Sequence, residues 1–142
     1  MRAIGLLRGL MIAVAVLFAA SAPANAQITT GTIAATRLLA RKPAPTAVFC
    51  FNDEMAIGVM QTARRRGIRV PEDLSVVGFD DIRFARYLDP PLTTITQPMR
   101  EIGEGCVRLL LEILGGNAAA PESVTLQHQL TVRSTTAAPS RP

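Results

Sequence analysis

One stretch constrains the fold more than any other, residues 46–81, TAVFCFNDEMAIGVMQTARRRGIRVPEDLSVVGFDD. Ala47, Val48, Phe49, Cys50 and Phe51 form a short apolar run rich in β-formers, as in a strand buried on both faces. Asn52 and Asp53 stop it and offer an N-cap to a following helix. Met55, Ala56, Val59, Met60 and Ala63 then recur on one helical stripe. Arg64, Arg65 and Arg66 suit a helix C-terminus, and Gly67 suits the residue after it. Past the turn at Val70 and Pro71, LSVVGF reads as a second buried strand, closed by Asp80 and Asp81. Strand, helix and strand of these lengths imply parallel pairing through a crossover. Both strands end in polar residues, and in open α/β sheets ligands bind at the carboxyl ends of strands. The stretch therefore points to a small-molecule cleft.

The chain has 142 residues, room for one modest domain. Its formal charge is +4, but setting Arg2 and Arg8 aside leaves 13 cationic against 11 acidic side chains. That balance does not make a nucleic-acid surface, and the Arg64–Arg66 run has no interleaved aromatics, so it reads as a solvated helix end. Cys50 and Cys106 lack CxxC spacing; they read as inert core thiols, or as a disulfide if the chain is exported.

Residues 1–26 have the three parts of a secretory leader. Arg2 and Arg8 supply the charge, LMIAVAVLFAA the apolar core, and Ala24-Asn25-Ala26 the cleavage pattern before Gln27. That core is shorter than the roughly 18–20 residues of a spanning helix, so no stable membrane span is expected. Residues 30–41 suggest a helix with Ile33, Ala34, Arg37, Leu38 and Ala40 on a partly buried stripe. Leu92 to Thr96 reads as a third strand ending at Gln97. Residues 99–114 form the most periodic segment, with Met99, Ile102, Cys106, Leu109, Leu110 and Ile113 on a broad apolar arc that demands a partner. Val124, Leu126, His128, Leu130 and Val132 alternate with polar residues, predicting a half-buried strand with its apolar side, His128 included, packed inward. Residues 134–142 read as a disordered tail.

Asn52, Asp80 and Gln97 each end a predicted strand. If the strands are parallel neighbours, two amides and a carboxylate share one rim, which suits a polyhydroxylated ligand. The plainer alternative is that Asn52 caps a helix and Asp80 opens a turn. An enzymatic reading would use Asp53, Glu54, Asp80 and Asp81 to hold Mg²⁺ or to serve as an acid/base pair in glycoside hydrolysis. No phosphate-cradling glycine loop or nucleophile–base pair accompanies them, so neither catalysis, cofactor nor metal is expected. Ile57 stands off the apolar stripe of its helix; with Phe84, Tyr87 and Leu88 it is either scattered surface or part of a subunit interface.

The ordered runs FCFNDEMAIG, RVPEDLSVVGFDD and DPPLTTITQP resemble the C-terminal part of the effector-binding domain of LacI/GalR-type transcriptional repressors. The likeness extends through REIGEGCVRLLLEILGG to SVTLQHQLTVRSTT and covers residues 30–136. It implies an incomplete periplasmic-binding-protein-like (type I) α/β fold with a parallel-sheet subdomain over residues 27–133, and a sugar- or nucleoside-type effector. By position, Asn52, Asp80, Gln97 and Met99 match ligand contacts of the family, and Ile57, Tyr87 and Leu88 match its dimer interface. The resemblance implies a homo-oligomer. The family's helix-turn-helix headpiece and N-terminal subdomain have no counterpart here, so direct DNA binding by this chain is not expected. In the family, the helix matching residues 99–114 packs in that N-terminal subdomain. The leader would send the product to the periplasm or outside the cell; without cleavage it would stay in the cytoplasm as in the family. An exported solute-binding fragment and a small carboxylate-dependent hydrolase are the alternative readings.

Overall fold

The computed structural model describes residues 24–115 and 123–139. The apolar core of the expected leader lies outside them, as do residues 140–142 of the expected tail. The chain runs α1 (Ala24–Leu38), β1 (Ala47–Phe49), α2 (Asp53–Arg65), β2 (Ser75–Asp80), a 3₁₀ turn (Ala85–Tyr87), β3 (Thr93–Thr96), α3 (Met99–Leu114) and β4 (Gln129–Thr131). The strands form one sheet in the order β1-β2-β3-β4, the first three parallel and β4 antiparallel at the edge. The mixed α/β class and the parallel β1-α2-β2 unit are as the sequence predicts.

α2 owes its position to both ends. The Asn52 side chain accepts from the Met55 backbone N–H at 2.9 Å, and Asp53 and Glu54 occupy the first turn where the helix dipole favours anions. Met55, Ala56, Val59 and Ala63 are buried against Val48, Val76 and Leu92 of the sheet side. Each larger apolar side chain so buried contributes roughly 1.5–3 kcal/mol.

α1 departs from its expected extent. It begins at Ala24 rather than residue 30, so the expected cleavage point after Ala26 falls inside it, and the Ala26 carbonyl accepts the Thr30 hydroxyl at 2.8 Å. The expected stripe is also displaced, since Ile33 is 51% exposed whereas Gly31, Ala34 and Ala35 are buried. Small residues face α2 because the two backbones nearly touch. A Cβ on Gly31 would meet the Met55 carbonyl oxygen at 2.3 Å, and one on Gly58 the Ile28 carbonyl oxygen at 2.3 Å. Hydrophobic periodicity marks large side chains and passes over such a contact.

Among the described residues the sheet is covered on one face only, contrary to the doubly buried strands expected. Val48, Val76, Gly78 and Thr94 point to the helix layer and are buried. Their neighbours Phe49, Val77, Phe79 and Ile95 are half-buried, and Leu130, opposite Ile95, is 53% exposed. α3 has the predicted bounds, but none of its residues is buried, and Cys106 is exposed rather than a core thiol.

The strand expected over residues 124–132 narrows to β4, and although Leu126 is half-buried as expected, from Thr131 on the polar side faces inward. Val124, Leu130, Val132 and His128 are exposed, while Thr131 and Arg133 are half-buried and Thr135 is fully buried. The His128 ring lies 5.7 Å from that of Phe79 on the uncovered face. Alternation fixes that two faces exist, not which is inward; here hydrogen bonds decide. The Thr135 hydroxyl donates to the Val76 carbonyl at 2.6 Å and accepts from the Thr93 N–H at 2.8 Å, and the Val76 N–H donates to the Thr135 carbonyl at 2.8 Å. The first residues of the expected disordered tail are thus hydrogen-bonded to β2.

Candidate functional site

The carboxyl ends of β1, β2 and β3 stand side by side, because all three are parallel neighbours. β2 ends in Asp80 with φ 109°, followed by Asp81 with φ 55°. Two consecutive non-glycine residues in the left-handed region are costly, and such geometry collects at functional sites. Asp80 is half-buried and accepts a hydrogen bond from the Gln97 side-chain amide at the end of β3. Burial raises the Asp80 pKa above the usual carboxylate range, against the opposing effect of the Gln97 bond. Carboxylate and amide together present acceptors and a donor, the complement of a diol or a base edge.

Asn52 is placed differently. Its carbonyl oxygen caps α2, its amide donates to Gln27 on α1, and the residue is 6% exposed. The structure therefore joins Asp80 to Gln97 and engages Asn52 with the helix layer. Met99 opens α3 and is 62% exposed. Gln97 also lines a recess of about 590 Å³ with Ile102, Leu109, Val124, Leu126 and His128.

The neighbouring carboxylates serve the framework. Asp53 is fully buried; one oxygen accepts the Thr94 hydroxyl at 2.6 Å and the other the Ile82 N–H at 2.8 Å. Burial pushes its pKa up to about 6, the Thr94 and Ile82 bonds pull the other way, and the nearby Asp80 and Asp81 charges add to the rise. Cys50, buried beside it, has its thiol pushed up to about 12 by burial and by the Asp53 charge. Asp81 meets the Arg133 guanidinium at 2.7 Å and accepts the Thr96 hydroxyl at 3.0 Å. Burial alone would raise Asp81, but those bonds and the Arg133 and Arg86 charges hold it below the usual range. Arg133 also donates to the Leu92 carbonyl at 2.8 Å, fastening the chain after β4 to the start of β3. Among the described residues, no three His, Cys, Asp or Glu side chains are grouped to hold a metal ion.

Sequence reasoning missed Arg133, Thr94, Thr96 and Gln27 as rim residues. The signal available for Thr94 and Thr96 was their polar side chains on one face of a strand, and for Arg133 its place on the polar side of the alternating run; for Gln27 there was none, since the helix was expected to begin only at residue 30.

The expected interface residues share a second surface. Ile57 and Leu88, both half-buried, line a groove of about 610 Å³ with Met60, Ile68 and Val70 between α2 and the loops after α2 and the 3₁₀ turn. Tyr87 and Phe84 project beside it, 72% and 70% exposed.

No described helix is long and apolar enough to cross a membrane. The model of the periplasmic binding protein-like domain matches residues 8–136, starting inside the segment read as a leader. The HTH-type transcriptional repressor PurR of Vibrio cholerae serotype O1 (strain M66-2) is 49% identical over 88 residues, 62% of this chain and 26% of that protein. The structure of the transcriptional regulator CelR–cellobiose complex superposes with TM-score 0.73 at 36% identity, covering 76% of this chain and 33% of that one. The dimeric Lac repressor with an 11-residue C-terminal deletion gives TM-score 0.72 at 37% identity, covering 80% and 41%. The chain spans about a quarter of the length of that curated relative. Parallel strands ending in Asp80 and Gln97, the α2 and α3 elements and the family match agree, and the chain belongs to the periplasmic-binding-protein-like domain family, as part of a LacI/GalR-type effector-binding domain.

Proposed function

We propose that the chain is the sensing part of a LacI/GalR-type transcriptional regulator and binds a sugar- or nucleoside-type effector without turning it over. The observation that carries this reading is the Asp80–Gln97 pair at the carboxyl ends of adjacent parallel strands. The cellobiose bound by CelR supports a sugar. Asn52 joins the contact set by exchanging its Gln27 bond for a ligand hydroxyl, and Met99 supplies an apolar edge. A deep cleft encloses most of a small ligand, whereas the described residues offer a single wall. The expected dissociation constant for this chain alone is therefore millimolar, about −4 kcal/mol. Chemical-shift perturbation with a panel of sugars and nucleosides tests it. At least one member should move the amides near Asp80 and Gln97, and Asp80→Ala should abolish the response. Silence from the whole panel, or a response that survives Asp80→Ala, refutes the assignment.

The groove bearing Ile57 and Leu88 we read as a self-association surface, with Tyr87 at its margin. The dimeric state of the Lac repressor structure supports it. Light scattering should find dimers that Ile57→Arg shifts to monomer; a wild-type chain that is monomeric at high concentration overturns this.

A further inference from the structure

We infer that Asp53 is a positioning residue for the effector site, holding the Asp80-Asp81-Ile82 turn in its left-handed course through the Ile82 N–H. This rests on the reading of Asp80 as a ligand contact. Three observations support it. Asp53 ties three strands together: it follows β1, takes the Thr94 hydroxyl from within β3 at 2.6 Å, and takes the Ile82 N–H just past β2 at 2.8 Å. Gly78 makes room for it, since a Cβ there would lie 2.1 Å from the Asp53 Oδ1 atom. And the residues between Gly78 and Ile82 include, among the described residues, the two non-glycine residues with positive φ, Asp80 at 109° and Asp81 at 55°. A backbone so far from its preferred regions persists only where its surroundings over-determine it. Gln97 grips the Asp80 side chain, Arg133 and Thr96 grip that of Asp81, and Asp53 grips the main chain directly after them. Without the last grip the turn can relax to negative φ, which rotates the Asp80 carboxylate away from Gln97.

Nothing in this arrangement requires Asp53 to meet solvent or ligand, since its two oxygens are both engaged and it is fully buried. The ionisable groups around it are Cys50 at the end of β1, and Asp80 and Asp81 at the end of β2, the latter paired with Arg133 and near Arg86. β3 presents only the Thr94 hydroxyl to it. An amide in place of the carboxylate keeps both contacts, its oxygen accepting from Ile82 and its NH₂ donating to Thr94. Alanine keeps neither.

The test uses the full chain, ¹⁵N-labelled, first without ligand across pH 4–8. In the wild type the Ile82 amide should show a titration centred near pH 6, where Asp53 changes charge, beside that of Asp80, which the Asp80 amide itself reports. In Asp53→Asn that titration should vanish while the Asp80, Asp81 and Ile82 amides stay near their wild-type positions. In Asp53→Ala all three should move. Affinity for whichever sugar or nucleoside binds the wild type should fall about tenfold in Asp53→Ala, the factor worth one net hydrogen bond, and return in Asp53→Asn. If Asp53→Ala does not fold, Thr94→Val replaces it; loss of one of the two bonds should raise the midpoint of the Ile82 titration. The inference is overturned by an Ile82 amide that does not titrate near pH 6, by a titration that survives Asp53→Asn and does not follow that of the Asp80 amide, by unmoved amides in Asp53→Ala, or by an unchanged midpoint in Thr94→Val. If no sugar or nucleoside binds the wild type, the effector reading falls, and the ligand-free spectra still decide whether Asp53 holds the turn.

Discussion

Gly58→Ala is expected to lower the unfolding free energy by about 3 kcal/mol, the upper part of the range for overpacked sites. The added methyl would lie 2.3 Å from the Ile28 carbonyl oxygen, 2.8 Å from the Thr32 nitrogen and 3.1 Å from the Gly31 carbonyl carbon. All three are backbone atoms, so no rotamer change relieves the contact. α1 must move off α2, which loosens the seam that buries Ala34, Ala35, Met55 and Ala56. Against this, alanine in a helix interior gains about 1 kcal/mol over glycine, and that gain is too small to change the sign. Gly103→Ala and Gly105→Ala on α3 form the control, because nothing lies within 4 Å of a Cβ at either site. Those two should be neutral or slightly stabilising by the same propensity difference. Urea denaturation of the three variants decides the matter. Equal behaviour of Gly58→Ala and Gly103→Ala would mean that α1 does not pack as described.

The contrast between α1 and α2 shows what was legible in the sequence. α2 buries Met55, Val59 and Ala63, large or regularly spaced apolar residues that announce a helical stripe, and its cap Asn52 is a residue type suited to that place. α1 buries Gly31, Ala34 and Ala35, whose contribution is closeness rather than apolar bulk, and its first turns fall within a segment that equally fits a leader sequence. The strand ends were legible for a similar reason. Polar residues after apolar runs placed Asp80 and Gln97 on one rim, and the parallel β2–β3 register brings them into contact. What periodicity could not supply was the sign of the alternation in residues 129–135. There the inward face is Thr131, Arg133 and Thr135, because the partners awaiting them are the Asp81 carboxylate, the Leu92 and Val76 carbonyls and the Thr93 and Thr96 hydroxyls. A strand that meets unsatisfied polar groups is drawn in by its polar side, since leaving those groups bare costs more than exposing Leu130 and Val132. α3 was right in its bounds and wrong only in the burial of Cys106, because amphipathicity specifies a face and not the surface that covers it.

Asp53 is expected to make the chain more stable near pH 4 than near pH 7.5, and Asp53→Asn to remove that difference. Its folded-state pKa is raised from 3.8 to about 6 by burial, so the native state holds the proton more tightly than the unfolded chain. The favourable contribution is fully present below pH 4 and is lost as pH rises through about 6. A shift of about two units corresponds to about 3 kcal/mol. Asp80, also raised by burial, slopes the same way, whereas Asp81, held below the usual range by Arg133 and Thr96, slopes the other way and loses its contribution only as pH falls. Raw stability curves therefore mix opposing terms, and the quantity to measure is the difference between wild type and Asp53→Asn at each pH. The two should nearly coincide at pH 4. Above pH 6 the variant should become the more stable by up to about 3 kcal/mol, since an amide keeps both hydrogen bonds without a buried charge. A natural carboxylate that lowers stability at neutral pH is the kind of local cost found where a chain sacrifices rigidity for function. If the difference is flat from pH 4 to pH 8, burial does not outweigh the Thr94 and Ile82 bonds, and the raised pKa of Asp53 is refuted.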